Sequence, residues 1–131
     1  PSQTLDGFDI SEMLFGKGDA KSQYEALYYY RRRQLQAIRY GDWKYHLPLK
    51  ATHPNWTTAK QAGPGRSGKL VNLKSDLQEK TDVTAGNPEV VKRMQELLKT
   101  AVVTLGNDDI RGDEQRGART LDSSKPLTLK E

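Results

Sequence analysis

The sequence predicts an α+β fold: a small antiparallel sheet of about four strands packed against one long C-terminal helix. Three observations predict it. Arg33–Leu47 (RQLQAIRYGDWKYHL) carries a hairpin pattern around Gly41-Asp42. Segments suited to strands flank it at 25–30 and 69–73. From Pro88 to Leu105, apolar residues recur at spacings of three and four.

A two-residue loop opening with Gly suits a primed hairpin turn, because Gly takes positive φ without steric cost. The pairing then sets Tyr40 opposite Trp43, Ile38 opposite Tyr45 and Gln36 opposite Leu47. Side chains alternate along a strand, so those six share one face. The other face takes Arg39, Lys44, Ala37, His46 and Leu35. A three-residue loop would set Arg39 against Trp43 and break the sorting, so the two-residue loop is preferred. A lone hairpin is marginal in water, and the aromatic face needs a cover.

Before the hairpin, Phe8, Ile10, Met13, Leu14 and Phe15 cluster around a short turn that Ser11 could cap and Gly16 could end. They have little nearby to pack against. That suits either a linker tucked onto the domain or a surface that belongs against another domain. Glu25–Tyr30 (EALYYY) is aromatic enough for a strand. Arg31, Arg32 and Arg33 then form either a solvated strand end or an anion-contacting patch.

Pro48–Gly68 is expected to be loop, and a structureless stretch of that length inside a domain is usually functional or disordered. It carries Lys50, His53, Trp56, Lys60 and Arg66. Lys69–Leu73 reads as a short strand and 74–86 as a polar connection. Asn87 suits an N-cap, Pro88 the first helical position and Glu89 the positive end of the helix dipole. Val90, Val91, Met94, Leu97, Leu98, Ala101, Val102 and Leu105 then line one wide stripe, ended by Gly106. This helix is the natural cover for the hairpin. The expected organisation is a linker at 1–23, a subdomain at 24–106 and an extended charged tail at 107–131.

The 131 residues suit one domain, and an apolar share of 34% leaves a thin core. No apolar run reaches the ~18 residues of a membrane span and no signal peptide is visible, so no membrane partner is expected. The chain starts at Pro1, as a processed product or excised piece would. The absence of cysteine excludes disulfides, thiolate metal sites and a Cys nucleophile. The net charge of +4 is uneven: residues 41–75 hold six Lys or Arg against one acid, whereas 76–131 hold nine against eleven. That basic stretch favours anionic partners.

No catalytic constellation assembles. The histidines, His46 and His53, have no nearby carboxylate in sequence, so they make no zinc site. His46 reads as a partly exposed strand histidine, and His53 as either a plain loop histidine or a substrate contact. Asp108-Asp109 and Asp113-Glu114 lack the alternation of a calcium loop and are interleaved by Arg111 and Arg116. Gly63–Lys69 (GPGRSGK) is not a phosphate loop, since Leu70 follows where Ser or Thr is needed. Trp43 and Tyr45 are wanted in the core, which leaves no stacking platform for nucleic acid.

In order, five segments resemble the C-terminal subdomain of the sulfatase family, arylsulfatase-like members of the alkaline-phosphatase-like superfamily. LDGFDISEMLFGKG (5–18) resembles the segment leaving the large domain. YYYRRRQLQAIRYGDWKYHLP (28–48) is similar to the family's RLQAVRxGxWKLHL hairpin, and LVNLKSDLQEKTDV (70–83) to LYNLxxDPxExxNL. NPEVVKRMQELL (87–98) is similar to HPEVVxRLxxLL, and LGNDDIRGDEQR (105–116) to the LGD…GxxQRPAG ending. Val71 departs from the usual Tyr, Leu77 from Pro, and Gly117-Ala118-Arg119 from Pro-Ala-Gly.

The resemblance implies a sulfatase fragment joined through 1–23 to a large domain outside this chain. The family's nucleophile is a formylglycine made within C/S-x-P-x-R, a motif absent here. Formylglycine and calcium are implied for the large domain, with no catalytic or metal residue in this chain. The subdomain is expected to rim the substrate cleft. His53 fits a pocket-lining histidine, with Lys50, Trp56 and His46 as further candidate contacts to a sulfated anionic substrate. A periplasmic or secreted location is implied. The competing expectation is a stand-alone module that binds anionic glycans through Arg31–Arg33 and the 48–68 loop.

Overall fold

Gly41 takes φ +56°, and the hairpin closes on the two-residue loop that this conformation permits. The computed structural model describes residues 8–16, 18–53 and 62–115. Strands β1 (Leu27–Arg31), β2 (Gln34–Tyr40) and β3 (Trp43–His46) form a meander. With β4 (Leu49–Thr52), β5 (Gly63–Arg66) and β6 (Lys69–Asn72) numbered in chain order, the main sheet runs β1-β2-β3-β6, antiparallel throughout. Tyr40 pairs with Trp43 and Ile38 with Tyr45. The Leu47 amide donates to the Gln36 carbonyl at 2.9 Å, extending the predicted register.

One residue breaks the alternation. Tyr29 pairs with Ala37 but Tyr30 pairs with Leu35, so Gln36 is an extra residue in β2. A bulge of this kind shifts the side-chain phase by one position. Leu35, expected on the mixed face, is therefore fully buried in the core with Ile38, Tyr45 and Leu70.

Helix α2 (Pro88–Leu105) lies across that face, with Met94, Leu97, Leu98 and Ala101 buried. Its start differs from expectation. Asn87 makes no side-chain cap; its Nδ2 donates instead to the Val83 carbonyl, which ties the helix to the preceding 3-10 turn at Thr84–Gly86. Its end is as expected, at Gly106 with φ +86°. The first short helix, α1 (Ser11–Leu14), also starts differently: Ser11 lies inside it, and the Asp9 carboxylate accepts the Ser11 amide.

The sheet's second face is covered by the 74–82 connection. Ala37 and Val71 are buried there. Lys44 lies 4.9 Å from the Tyr29 ring centroid and reaches Glu79 at 2.6 Å. Lys69 donates to the Glu79 carbonyl, and the Leu70 amide is met by the Asp82 and Thr84 side chains. These contacts occupy polar groups on an edge strand that would otherwise be open for pairing.

Two further expectations are corrected. The 48–68 stretch is not all loop: β4 and β5 pair as an antiparallel ribbon, Leu49 with Arg66 and Thr52 with Gly63. Gly65 is required there, since a Cβ would lie 2.4 Å from the Lys50 carbonyl oxygen. Nor are residues 107–115 of the tail extended; the rest of the tail lies outside the described residues. Strands β7 (Gly106–Asn107) and β8 (Ile110–Arg111) form a small hairpin. The Asp113 and Glu114 amides then bond back to the carbonyls of Val103 and Thr104.

Candidate functional site

Three segments meet at one end of the sheet: the Arg32-Arg33 turn between β1 and β2, the Thr52-His53 end of the ribbon, and the β7–β8 hairpin. Gln34 joins the first two. It is buried, its Nε2 donates to the Ala51 carbonyl, and its Oε1 accepts the His53 amide at 3.0 Å. The third segment is pinned to the first by two bonds. The Leu35 amide donates to Asn107 Oδ1 and the Asp108 amide to the Arg33 carbonyl, both at 2.8 Å.

The contact that closes the site is His53 Nε2 to Asp108 Oδ1, at 2.7 Å. It is a close approach that does not count as an aligned hydrogen bond, and Asp108 Oδ1 is buried with no hydrogen-bond partner among the described residues. Asp108 holds φ +49°, a conformation Asp tolerates better than most residues. Arg66 anchors the ribbon base by donating to the carbonyls of Leu47 and Gln36, and its burial lowers its pKa.

The four candidate substrate contacts have different surroundings. His53 lies at the junction, and Lys50 is exposed on β4. Trp56 lies outside the described residues. His46 is held elsewhere: its Nε2 meets Glu79 Oε2 at 2.6 Å, on the face away from the helix. Burial lowers the His46 pKa, outweighing the opposite pull of Glu79. Glu79 is itself lowered, first by its bond from Lys44.

Gln34 escaped the sequence reading, and Asp108 entered it only as a calcium candidate set aside. Asp108 had one available signal, the Gly-Asn-Asp-Asp run at 106–109, whose residue types favour tight turns. Gln34 had none, since a buried Gln on a strand is recognisable only once its partners are placed.

The described residues do not fit calcium. They contain no group of three or more His, Asp or Glu able to hold a metal. Asp108 turns to His53, and Asp109 lies 3.7 Å from Arg33. The junction can meet an anionic group with charge and hydrogen-bond donors, and no described helix is long and apolar enough to cross a membrane.

Residues 22–115 match the family model for the C-terminal region of aryl-sulfatase, and the chain belongs to that family. It is 32% identical to human arylsulfatase A over 136 aligned residues, covering 87% of this chain and 26% of that protein. It is 38% identical to an N-acetylgalactosamine-6-O-sulfatase of Bacteroides thetaiotaomicron over 64 residues, or 49% of this chain and 12% of that one. A solved structure from work on glycosaminoglycan metabolism by Bacteroides thetaiotaomicron superposes with a TM-score of 0.56 at 31% identity, over 73% of this chain and 20% of that chain. The chain thus spans about a quarter or less of the relatives it matches.

Proposed function

We propose that this chain is the C-terminal part of a sulfatase that hydrolyses sulfate esters of anionic carbohydrate. In that reading the β4–β5 ribbon and the His53–Asp108 junction rim the substrate cleft, and the catalytic centre belongs to a large domain docked against this one. The junction carries the proposal: the ribbon and the C-terminal hairpin are tied at the histidine that the family resemblance points to. Lys50 stands exposed on the same ribbon, where its charge can meet a sulfated chain. One relative is named for a sulfated amino sugar, and the solved relative comes from glycosaminoglycan metabolism; both favour a carbohydrate substrate. The exposed Leu14 and Phe15, 73% and 84% accessible, suit the contact with the large domain. Formylglycine and calcium, as the resemblance implies, would supply the nucleophile and its charge partner in that domain.

The test is sulfate release by the complete protein that carries this chain, offered sulfated disaccharides and a small aryl sulfate. The expected result is turnover of both. Lys50→Ala should raise KM for the disaccharide about three- to tenfold, the loss of one charged contact, and leave the aryl ester unaffected. No sulfate release from either ester would overturn the reading. If that protein still bound heparin and lost it on neutralising the exposed Lys50, a glycan-binding module would be the better description.

A further inference from the structure

Beside the His53–Asp108 contact lies an open hollow of about 470 Å³, within the range of small-ligand clefts. Its walls include Tyr30, Arg32, Arg33, Asp108, Arg111 and Gln115. The Tyr30 hydroxyl donates to the Gly106 carbonyl at 2.8 Å, which fixes the β1 side of the hollow to the C-terminal hairpin. Of the two carboxylates among the lining residues, Asp108 is turned to His53. Asp109 is fully exposed and only 3.7 Å from Arg33, a weak, screened pair. Arg111 donates to the Gln115 carbonyl, and Arg32 makes no ion pair among the described residues. The hollow therefore presents more guanidinium charge than its own acids neutralise.

The backbone supports a functional reason for this. Among the described residues only Arg32, Glu79 and Asp108 are non-glycine positions with positive φ, and two of the three line this hollow. Arg32 sits at +57° in a tight turn, where Gly or Asn would be cheaper. A strained residue at a cleft points towards function. Guanidinium groups match carboxylate and sulfate with paired, parallel hydrogen bonds.

We propose that the hollow ringed by Arg32, Arg33 and Arg111 binds a second acidic group, carboxylate or sulfate, on a sugar neighbouring the one whose ester is hydrolysed. This rests on the reading of the chain as the rim of a sulfatase cleft. The preferred substrate is then a glycan with acid groups on successive residues, one at the catalytic centre and one held here.

The test uses the complete protein and three disaccharides with the same sulfate ester. Their neighbouring sugar is neutral, bears a uronate carboxylate, or bears a second sulfate. Both acidic probes should show the lower KM. The double variant Arg32→Gly/Arg111→Gln should raise KM for an acidic probe about tenfold, leave the neutral probe unchanged and keep kcat. Whichever acidic probe loses more identifies the acid. Arg32→Gly alone should melt at or above the parent temperature, since it relieves the turn, and still weaken acidic probes; a purely structural arginine would show no such split. Equal KM values for the three probes in the parent would overturn the proposal. Equal losses on all three in the double variant would also do so, and would assign the arginines to contact with the large domain. If no probe is hydrolysed, the sulfatase reading fails by itself. Calorimetric binding of the same probes then decides this one: binding of acidic probes that the double variant loses supports it, and no binding overturns it.

Discussion

His53 Nε2 and Asp108 Oδ1 stand 2.7 Å apart, and through them the ribbon after β3 is tied to the hairpin after α2. Both side chains are about one-third exposed, so the pair itself adds little stability. Its consequence is positional. Asp108→Asn, which keeps a residue type that tolerates φ +49°, should lower stability by no more than about 1 kcal/mol in urea melts. It should also speed hydrogen exchange at the ribbon end around the His53 amide. Unchanged exchange would show that Gln34 alone holds that end.

Gln34 should matter more for stability. Its buried carboxamide serves the Ala51 carbonyl, the His53 amide and the Gln36 side-chain amide, so Gln34→Ala removes three bonds and leaves polar groups without partners. The expected loss is about 2–3 kcal/mol, read from urea melts. A loss below half a unit would mean that water replaces the carboxamide without cost.

Acid should weaken the cover on the second sheet face. Glu79 has its pKa lowered by Lys44, so its contribution is full above the unfolded value of about 4.3 and is lost as pH falls through the lower folded value. His46 is also lowered, by burial. Its neutral form is favoured in the fold, so its contribution is full above about 6.5 and falls as pH drops below that towards the folded value. The two groups pull on each other in opposite senses, Glu79 favouring a charged His46 and burial a neutral one, but both slopes have the same sign. Melting temperature should fall from pH 7 to pH 3. Glu79→Gln should cost about 1–2 kcal/mol at pH 7, a part-exposed pair, and flatten the slope below about pH 4.3, where the parent loses the Glu79 contribution, without flattening the His46 limb above it. A slope identical to the parent's would remove Glu79 from the explanation.

Gly106 holds the turn from α2 into the C-terminal hairpin. An added Cβ would lie 2.5 Å from the Ile110 carbonyl oxygen, and φ +86° is already unfavourable for other residues. Gly106→Ala should cost about 2 kcal/mol or more and displace Asp108 from His53. Thermal melts report the first, and the His53 ring signals in NMR report the second.

The parts of this fold legible in the sequence are those governed by local periodicity. The Gly41 turn, the Ile38–Tyr45 register and the α2 stripe through Met94 follow from spacing alone. Leu35 was misplaced because alternation carries no mark for an inserted residue, and only the pairing of Tyr30 with Leu35 exposes the bulge. The ribbon was missed because Gly63, Pro64 and Gly65 are poor strand formers; β5 exists through its pairing with Leu49–Thr52. The His53–Asp108 contact joins distant segments with no shared pattern, so no window of sequence contains it. The family motifs reached the subdomain as a whole but not that contact.

The most direct measurement is steady-state kinetics of His53→Ala in the complete protein, comparing a sulfated disaccharide with a small aryl sulfate. In the proposed reading His53 touches the sugar and not the ester being broken, so KM for the disaccharide should rise about tenfold while kcat and KM for the aryl ester stay near the parent's. Parent-like constants for both substrates, or an equal loss on both, would contradict it.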